Sequence, residues 1–140
     1  MNSILFSRKT DEWETPKDLY QTLDAEFRFS LDPCSTDINA KCENHYTAKD
    51  DGLTKNWEGQ RVFYNPPYSK VKQWVHKCYE EAKKPGTVVV ALLPSRTDTK
   101  WFHDYVLDKA EIRFIRGRLK FSGAQYNAPF PSMIVIWRGR

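Results

Sequence analysis

Residues 62–68 read Val-Phe-Tyr-Asn-Pro-Pro-Tyr, and this stretch decides how the middle of the chain is organised. The apolar run 62–64 is typical of a short buried strand. Two consecutive prolines cannot continue a central strand, because neither supplies an N–H to the sheet. The chain therefore leaves the sheet in a rigid, extended segment at the carboxyl end of this strand. Open α/β sheets bind their ligands at that edge.

The segments on either side predict alternating strands and helices. Residues 87–93 are almost wholly apolar and β-branched, which is typical of a strand buried on both faces. Thr15 and Ser69 are the expected N-caps of the first two helices. The alternation predicts an α/β fold with a compact, mostly parallel sheet and helices on both faces. We predict further strands at 27–31, 111–115 and 133–137, a short strand near Tyr46, and helices at 16–23, from 69 onward, and at 97–107.

Length and charge limit the architecture more than the function. With 140 residues the chain is expected to form a single domain, residues 1–140, with little room for a separate recognition domain. Either the specificity loops are short, or a second subunit, as in a homodimer, contributes. The formal charge of +4, from 22 basic and 18 acidic residues, suits a polyanionic partner without requiring one.

Cysteine usage and the apolar segments predict a cytoplasmic protein. No apolar stretch approaches the roughly 20 residues that span a bilayer, and residues 1–6 lack the features of a secretion signal. The cysteines Cys34, Cys42 and Cys78 are few and odd in number, which favours reduced thiols. Cys42 with His45, and His76 with Cys78, match no standard metal-binding spacing, so we predict no metal.

Several short motifs occur in a fixed order along the chain. They are Trp13-Glu14-Thr15-Pro16, Leu31-Asp32-Pro33-Cys34-Ser35, Asp51-Gly52-Leu53, Phe63-Tyr64-Asn65-Pro66-Pro67-Tyr68-Ser69, Leu92-Leu93-Pro94-Ser95-Arg96, Trp101-Phe102-His103 and Arg116-Gly117-Arg118-Leu119-Lys120-Phe121. They resemble the phage-type DNA N6-adenine methyltransferase (Dam-like) family, which uses S-adenosylmethionine, across roughly residues 10–138. The tetrapeptide alone is less specific, since it also occurs in enzymes that methylate a glutamine amide.

The resemblance implies a Rossmann-like methyltransferase fold with an antiparallel last strand, and a catalytic role for residues 65–68. The Asn65 side-chain oxygen and the Pro66 carbonyl would accept hydrogen bonds from the target amino group, in a segment kept rigid by Pro67. Tyr68 would stack on an adenine flipped out of the duplex. Without the other motifs, the same stretch would indicate only a proline-rich turn.

The resemblance also implies a set of cofactor-binding residues. Asp32, held close by Pro33 and Cys34, would accept hydrogen bonds from the ammonium end of S-adenosylmethionine. Asp51 would bind the amine of the cofactor's adenine, with Leu53 packed on its ring. Asp50 is an alternative to Asp51, and Asp37 or Glu43 could bind the ribose. A glycine-rich fingerprint is absent, so the path of the cofactor stays open. The amino-terminal residues that would close over its methionine moiety are Trp13, Thr15 and Pro16.

Double-stranded DNA is the implied partner, in the host-cell cytoplasm if the chain is phage-encoded. Basic residues interleaved with aromatic ones suit a nucleic acid, although core packing is the expected role of Phe102 and Phe114. Alternatives are RNA adenine, cytosine N4 or a protein glutamine amide as substrate, and a non-catalytic nucleic-acid-binding module. The candidate DNA-contacting residues are Ser69, Lys70, Arg96, Lys100, Arg116, Arg118 and Lys120, with Trp101, Phe102 and Phe121 among them.

Overall fold

The computed structural model describes residues 13–35, 40–47 and 49–139, and its regular elements alternate along this part of the chain. Two short 3-10 turns, Gly52–Thr54 and Tyr68–Lys70, adjoin the elements that carry the motifs. The described helices and strands, in chain order, are α1 (Lys17–Phe27), β1 (Arg61–Tyr64), α2 (Val71–Ala82), β2 (Val88–Pro94), α3 (Lys100–Tyr105), β3 (Glu111–Phe114) and β4 (Ser132–Arg138).

The strands form one mixed sheet in the order β1-β2-β4-β3. β1 is parallel to β2, whereas β4 is antiparallel to both β2 and β3. The strands β1, β2 and β3 therefore run in one direction, and the last strand lies between two of them in the opposite direction. The predicted α/β class, the mostly parallel sheet and the antiparallel last strand are confirmed.

Helices pack on both faces of this sheet, as predicted. On one face, Leu23 of α1 is buried in a cluster that includes Phe63 and Leu92. On the other face, Val75 of α2 and Phe102 of α3 lie in a second buried cluster with Val89 and Leu93 of β2. Alternating side chains of β2 thus enter opposite clusters, which explains its continuous apolar sequence. In the part of the chain described, no helix has the length and apolar character needed to cross a bilayer.

The predicted strand over residues 27–31 is wrong in extent. Helix α1 continues to Phe27, and Arg28 ends it in the left-handed conformation with φ 53°. Beyond it, Leu31 and Asp32 form only isolated parallel bridges, to Val62 and His45. The second bridge is also what remains of the strand predicted near Tyr46. Phe27, the first residue of the predicted strand, is instead the last residue of α1, where it packs against the buried cluster that contains Leu23.

Two predicted helix caps are also wrong. The residue preceding α1 is Pro16, which has no side-chain capping bond, and the Thr15 hydroxyl accepts a hydrogen bond from Asn65 instead. Ser69 lies inside a 3-10 turn, so α2 begins at Val71. In both cases a neighbouring segment uses or displaces the expected cap, which local sequence does not reveal.

Phe102 is buried, as predicted, but Phe114 is not. Its side chain is 65% exposed at the end of β3. It lies on β3, the edge strand, which pairs only with β4 in the described sheet. Helix α3 is also shorter than the prediction over 97–107, because the Thr99 hydroxyl caps it by accepting from the Phe102 N–H at 3.3 Å.

Candidate active site

The tetrapeptide Asn65–Tyr68 directly follows β1 at the carboxyl edge of the sheet. Pro67 has an extended backbone, with φ −58° and ψ 130°, and the 3-10 turn begins at Tyr68. The rigid exit predicted from the two prolines is therefore confirmed. Because β4 is antiparallel to β2, its first residue Ser132 pairs with Pro94 at this same edge.

The amide of Asn65 has a defined orientation. Its Nδ2 donates one hydrogen bond to the backbone carbonyl of Trp13 and another, of 2.9 Å, to the Thr15 hydroxyl. A backbone carbonyl can only accept, so the amide nitrogen must point toward residues 13–15. The Asn65 Oδ1 then points away from them, and it is buried without a hydrogen-bond partner among the described residues.

Other buried side-chain oxygens at this edge also have no hydrogen-bond partner among the described residues. An unpaired buried polar atom costs about 1–3 kcal/mol, so several of them together indicate a place where a ligand supplies the missing partners. Ser95 follows β2 just as Asn65 follows β1, and that parallel could have identified it from sequence. Within the described ranges, the buried side-chain oxygens without a partner belong to Ser35, Tyr64, Asn65, Tyr68, Ser95 and Ser132.

Tyr68 belongs to an aromatic cluster formed with Trp13, Phe121 and Phe130. The Phe130 ring lies edge-on to Tyr68 at a centroid distance of 5.0 Å. The Trp13 ring lies 5.3 Å from both Phe121 and Phe130. Burial raises the pKa of Tyr68, and the positive charge of Arg96 acts in the opposite direction. Phe130 was not predicted, because it lies in a loop between two prolines where no periodic pattern marks it.

Asp32 is a buried carboxylate, with 4% of the residue exposed. It accepts hydrogen bonds from the backbone N–H groups of Cys34, at 3.3 Å, and Lys41, at 3.0 Å. Burial raises its pKa, although these amides and the nearby charges of His45 and Lys41 act in the opposite direction. No side chain of a described lysine or arginine forms an ion pair with it. A cationic group of a ligand would compensate this buried charge.

The two segments predicted to bind the cofactor lie against each other. A Cβ placed on Gly52 would stand 2.2 Å from the carbonyl oxygen of Pro33, so only glycine permits this approach. The contact places Asp51 and the half-buried Leu53 beside the residues that follow Asp32. Asp51 itself is exposed and has a left-handed backbone, with φ 57°.

The acidic residues considered as alternative cofactor contacts differ in their hydrogen bonds and in their exposure. The Asp50 carboxylate accepts hydrogen bonds from the Thr47 N–H, at 2.9 Å, and the Thr47 hydroxyl, at 3.1 Å. These bonds lower the pKa of Asp50 and commit its side chain to a local turn. Asp51 is therefore the better candidate for a ligand contact. Glu43 is exposed, and Asp37 lies outside the described residues.

The remaining cofactor candidates, Cys34 and Pro16, are both half-buried. Cys34 is half-buried and packs against the cluster that also contains Leu53. Pro16 is half-buried at the start of α1, and its carbonyl accepts from the Tyr20 N–H at 3.1 Å. The structure therefore brings the amino-terminal segment to Asn65 and the Asp51 turn to Pro33.

Most of the predicted DNA-contacting residues are exposed at the carboxyl edge. Because β1, β2 and β3 are parallel in direction, the segments that follow them emerge on the same side of the sheet. Lys100 differs from the others, since it forms an ion pair with Asp104. The exposed basic candidates that form no ion pair with another described residue are Lys70, Arg96, Arg116, Arg118 and Lys120. Ser69 is exposed beside Lys70.

The aromatic residues that were placed among these basic side chains are not available to DNA. Trp101, Phe102 and Phe121 are all buried. Their helical or loop positions gave no periodic signal strong enough to separate core packing from surface exposure. In the loop between β3 and β4, by contrast, Tyr126 is 74% exposed.

The cysteine and histidine pairs considered as metal ligands do not converge. The Cys42 thiol lies 3.6 Å from the Tyr20 hydroxyl, and burial raises its pKa to about 11, which disfavours a metal-binding thiolate. His76 stacks on Tyr105 at a centroid distance of 5.0 Å. No cluster of three or more potential ligands occurs among the residues described. The absence of a metal stays a prediction.

Comparison with known proteins identifies relatives over most of the chain. The family model described as DNA N-6-adenine-methyltransferase (Dam) matches residues 2–139. The chain is 32% identical over 113 residues to a DNA N-6-adenine-methyltransferase of Haemophilus phage HP1, covering 78% of this chain and 65% of the relative. It is 30% identical over 111 residues to a DNA N-6-adenine-methyltransferase of Escherichia phage T1, covering 78% of this chain and 46% of that one.

Two further matches are more limited. A putative methyltransferase, YfdM, of Escherichia coli K12 is 35% identical over 65 residues, covering 41% of this chain and 71% of the relative. The 23S rRNA methyltransferase ErmE aligns in structure with a TM-score of 0.44 and 17% sequence identity, covering 91% of this chain and 50% of that one. The chain thus spans between about half and two thirds of the length of the two phage relatives. With residues 2–139 matched by the family model, the chain belongs to the DNA N-6-adenine-methyltransferase (Dam) family.

Proposed function

We propose that this chain transfers a methyl group from S-adenosylmethionine to the N6 amino group of adenine in DNA. The observation that carries the proposal is the Oδ1 of Asn65, which is buried and has no hydrogen-bond partner among the described residues, in an amide oriented by Trp13 and held by Thr15. It is a fixed acceptor at the ligand-binding edge of the sheet. Membership of the family supplies the class of reaction.

The chemistry of adenine explains why an acceptor is needed at this place. The N6 lone pair is delocalised into the ring, so the amino group is a poor nucleophile. The Asn65 Oδ1 and the Pro66 carbonyl would each accept a hydrogen bond from one N–H of this amino group. The two bonds would favour a tetrahedral nitrogen and stabilise the positive charge that develops on it. The lone pair then forms the N–C bond to the methyl carbon, and N6 loses a proton to solvent afterwards. No general base is required before attack.

The residues around Asp32 fit the proposed cofactor. When bound, S-adenosylmethionine would supply a methyl group activated by a sulfonium, whose sulfur keeps the C–S bonding pair so that S-adenosylhomocysteine, a thioether, is the leaving group. The buried Asp32 carboxylate suits the ammonium group, and the close contact of Gly52 with Pro33 supports a joint role for the two segments. The residues proposed to hold the cofactor are Trp13, Thr15, Pro16, Asp32, Pro33, Cys34, Asp51 and Leu53.

The same edge has the features expected of a DNA-binding face. An adenine flipped from the duplex would stack on Tyr68, and the exposed basic residues that flank the site would contact phosphates. We propose double-stranded DNA as the substrate and the cytoplasm as the place of action. A homodimer in which the second copy extends the DNA contact is a further proposal, which sedimentation of the purified chain would test.

Methyl transfer from tritiated S-adenosylmethionine would test this function against its alternatives. Unmethylated double-stranded DNA should be labelled, and hydrolysis of the product should yield N6-methyladenine. Label in RNA alone, in cytosine N4 or in a protein extract would assign another substrate. Absence of transfer to all of them would leave a nucleic-acid-binding module.

An Asn65→Ala variant tests the observation on which the proposal rests. Turnover should fall by about two to three orders of magnitude, as for loss of one transition-state acceptor, with little change in cofactor affinity. Asn56→Ala is the matched control, because Asn56 is exposed and lies before the amino end of β1. Full activity in Asn65→Ala would refute the assigned role of the tetrapeptide.

A further inference from the structure

We infer that Thr15 is a positioning residue, which holds the Asn65 amide in the orientation that presents its oxygen to the target amino group. The expected effect on turnover rests on the proposed function, whereas the contact between Thr15 and Asn65 does not depend on it. Thr15 precedes Asn65 by 50 positions, and its side chain is almost fully buried, with 2% of the residue exposed.

The hydrogen bonds of Asn65 allow only one orientation of the amide. The two Nδ2 hydrogens have two acceptors, the Trp13 carbonyl and the Thr15 hydroxyl, the latter at 2.9 Å. Rotating the amide by 180° would place Oδ1 against the Trp13 carbonyl, where two acceptors repel each other. The Trp13 carbonyl therefore sets the orientation of the amide, and the Thr15 hydroxyl is the second contact that holds the amide in that position.

This orientation decides what the site can bind. In the present orientation the substrate meets an acceptor, which suits the N–H groups of an adenine amino group. In the rotated one it would meet an NH₂ group, and two donors would face each other. The Trp13 carbonyl sets this polarity, and the Thr15 hydroxyl restrains the amide in the plane that presents Oδ1. Without the hydroxyl the amide keeps one contact in place of two, so it moves more freely out of the productive position.

The backbone around Thr15 is anchored independently of its hydroxyl. The Glu14 carbonyl accepts from the Ser122 N–H at 3.0 Å, and the Thr15 carbonyl accepts from the Ser122 hydroxyl at 3.1 Å. The Trp13 ring also packs against Phe121. Replacing Thr15 by the equally shaped valine should therefore keep the segment in place while removing the one hydroxyl.

A cofactor role for Thr15 is compatible with this one. The contact with Asn65 uses a lone pair of the hydroxyl oxygen, which leaves its proton available to a bound ligand. The two roles predict different kinetic changes. Loss of a cofactor contact raises the KM for the methyl donor, whereas loss of amide orientation lowers kcat when both substrates are saturating.

The kinetic test compares Thr15→Val, Thr15→Ser and Thr22→Val in the full chain. Thr15→Val should lower kcat at saturating S-adenosylmethionine and DNA by about three- to tenfold, the range expected for one net hydrogen bond. Thr15→Ser keeps the hydroxyl and should restore most of the activity. Thr22→Val is the control, since the Thr22 hydroxyl is exposed and bonds only within α1, to the Asp18 carbonyl. A change confined to the KM for the methyl donor would overturn the inference.

A nuclear magnetic resonance experiment tests the contact without cofactor or DNA. The Asn65 side-chain NH₂ signals, assigned by their loss in Asn65→Ala, should exchange with solvent at least about fivefold faster in Thr15→Val than in wild type. Unchanged exchange would overturn the inference. If exchange changes but wild type methylates no DNA, the proposed function fails and the positioning role stands. If Thr15→Val does not fold, Thr15→Ala takes its place, and unfolding of both would overturn the inference by making Thr15 a folding residue.

Discussion

At the scale of the residue, Asn65 and Tyr68 have separable functions. The buried Asn65 oxygen is a point acceptor, whereas Tyr68 offers a ring within the aromatic cluster of Trp13, Phe121 and Phe130. The Tyr68 hydroxyl is buried and has no hydrogen-bond partner in the described part of the chain. Its ring is therefore the part that we expect to contribute to base binding.

Substitutions of Tyr68 should separate stacking from hydrogen bonding. Tyr68→Phe should retain most methyl transfer, because the ring remains and the removed hydroxyl is unpaired. Tyr68→Ala should weaken capture of the flipped base by about 1–3 kcal/mol, seen as a higher KM for DNA. Steady-state kinetics at saturating cofactor would measure this. A loss of activity in Tyr68→Phe equal to that in Tyr68→Ala would show that the hydroxyl, not stacking, matters.

A second prediction concerns the role of Asp32 in binding the cofactor. Asp32→Ala should weaken S-adenosylmethionine binding about ten- to a hundredfold, because a charged acceptor of the ammonium group is lost. Titration calorimetry of the purified chain, without added metal, would measure the affinity. Asp50→Ala is a control, since the Asp50 carboxylate is committed to Thr47. Equal affinity in Asp32→Ala and wild type would reject the assignment.

At the scale of the element, one buried acid attaches α2 to the chain before β1. The Glu81 carboxylate accepts from the Trp57 N–H at 2.6 Å and forms ion pairs with Lys84, at 2.5 Å, and Lys77, at 3.6 Å. Burial acts to raise the pKa of Glu81, but the bonds from Lys84 and Trp57 outweigh it, so the pKa lies below its ordinary value. The folded state therefore favours the ionised acid.

This lowered pKa predicts a dependence of stability on pH. The contribution of Glu81 is complete above the pKa of about 4.3 of an unfolded glutamate, and it is lost as the pH falls through the lower folded value. Glu81→Gln should lower the free energy of unfolding by about 1–3 kcal/mol at pH 7 and by less near pH 3. Urea unfolding at both pH values would measure this, with the exposed neighbour Glu80→Gln as control. A pH-independent difference would contradict the coupling.

At the scale of the whole molecule, strand direction gathers the site and the basic residues at one edge. Arg116 and Arg118 follow β3, and Asn65 follows β1. Replacing both arginines by alanine should weaken DNA binding and reduce the slope of log affinity against log salt, because fewer counterions are released. Cofactor affinity should barely change. The control, Lys83→Ala with Lys109→Ala, removes the same charge at the opposite edge, and an equal effect there would reject a localised DNA face.

Several features of this fold are predictable from the sequence alone, because they depend only on neighbouring residues. A buried strand followed by Asn-Pro-Pro-Tyr must leave the sheet at its carboxyl end, since proline cannot pair within it. The apolar run of β2 likewise predicted a strand covered on both faces, and the ordered motifs identified the family. These properties follow from backbone chemistry and short-range patterns, so they are readable before the chain is folded.

The distant residues that complete the site are seen only in the folded chain. The Thr15 hydroxyl meets the Asn65 amide rather than capping a helix, and Gly52 packs on the Pro33 carbonyl. Phe130 reaches Tyr68 from a loop, and Phe114 is left exposed on an edge strand. Each outcome depends on which segments the order and direction of the strands bring together, and a local sequence pattern carries no information about partners so far along the chain.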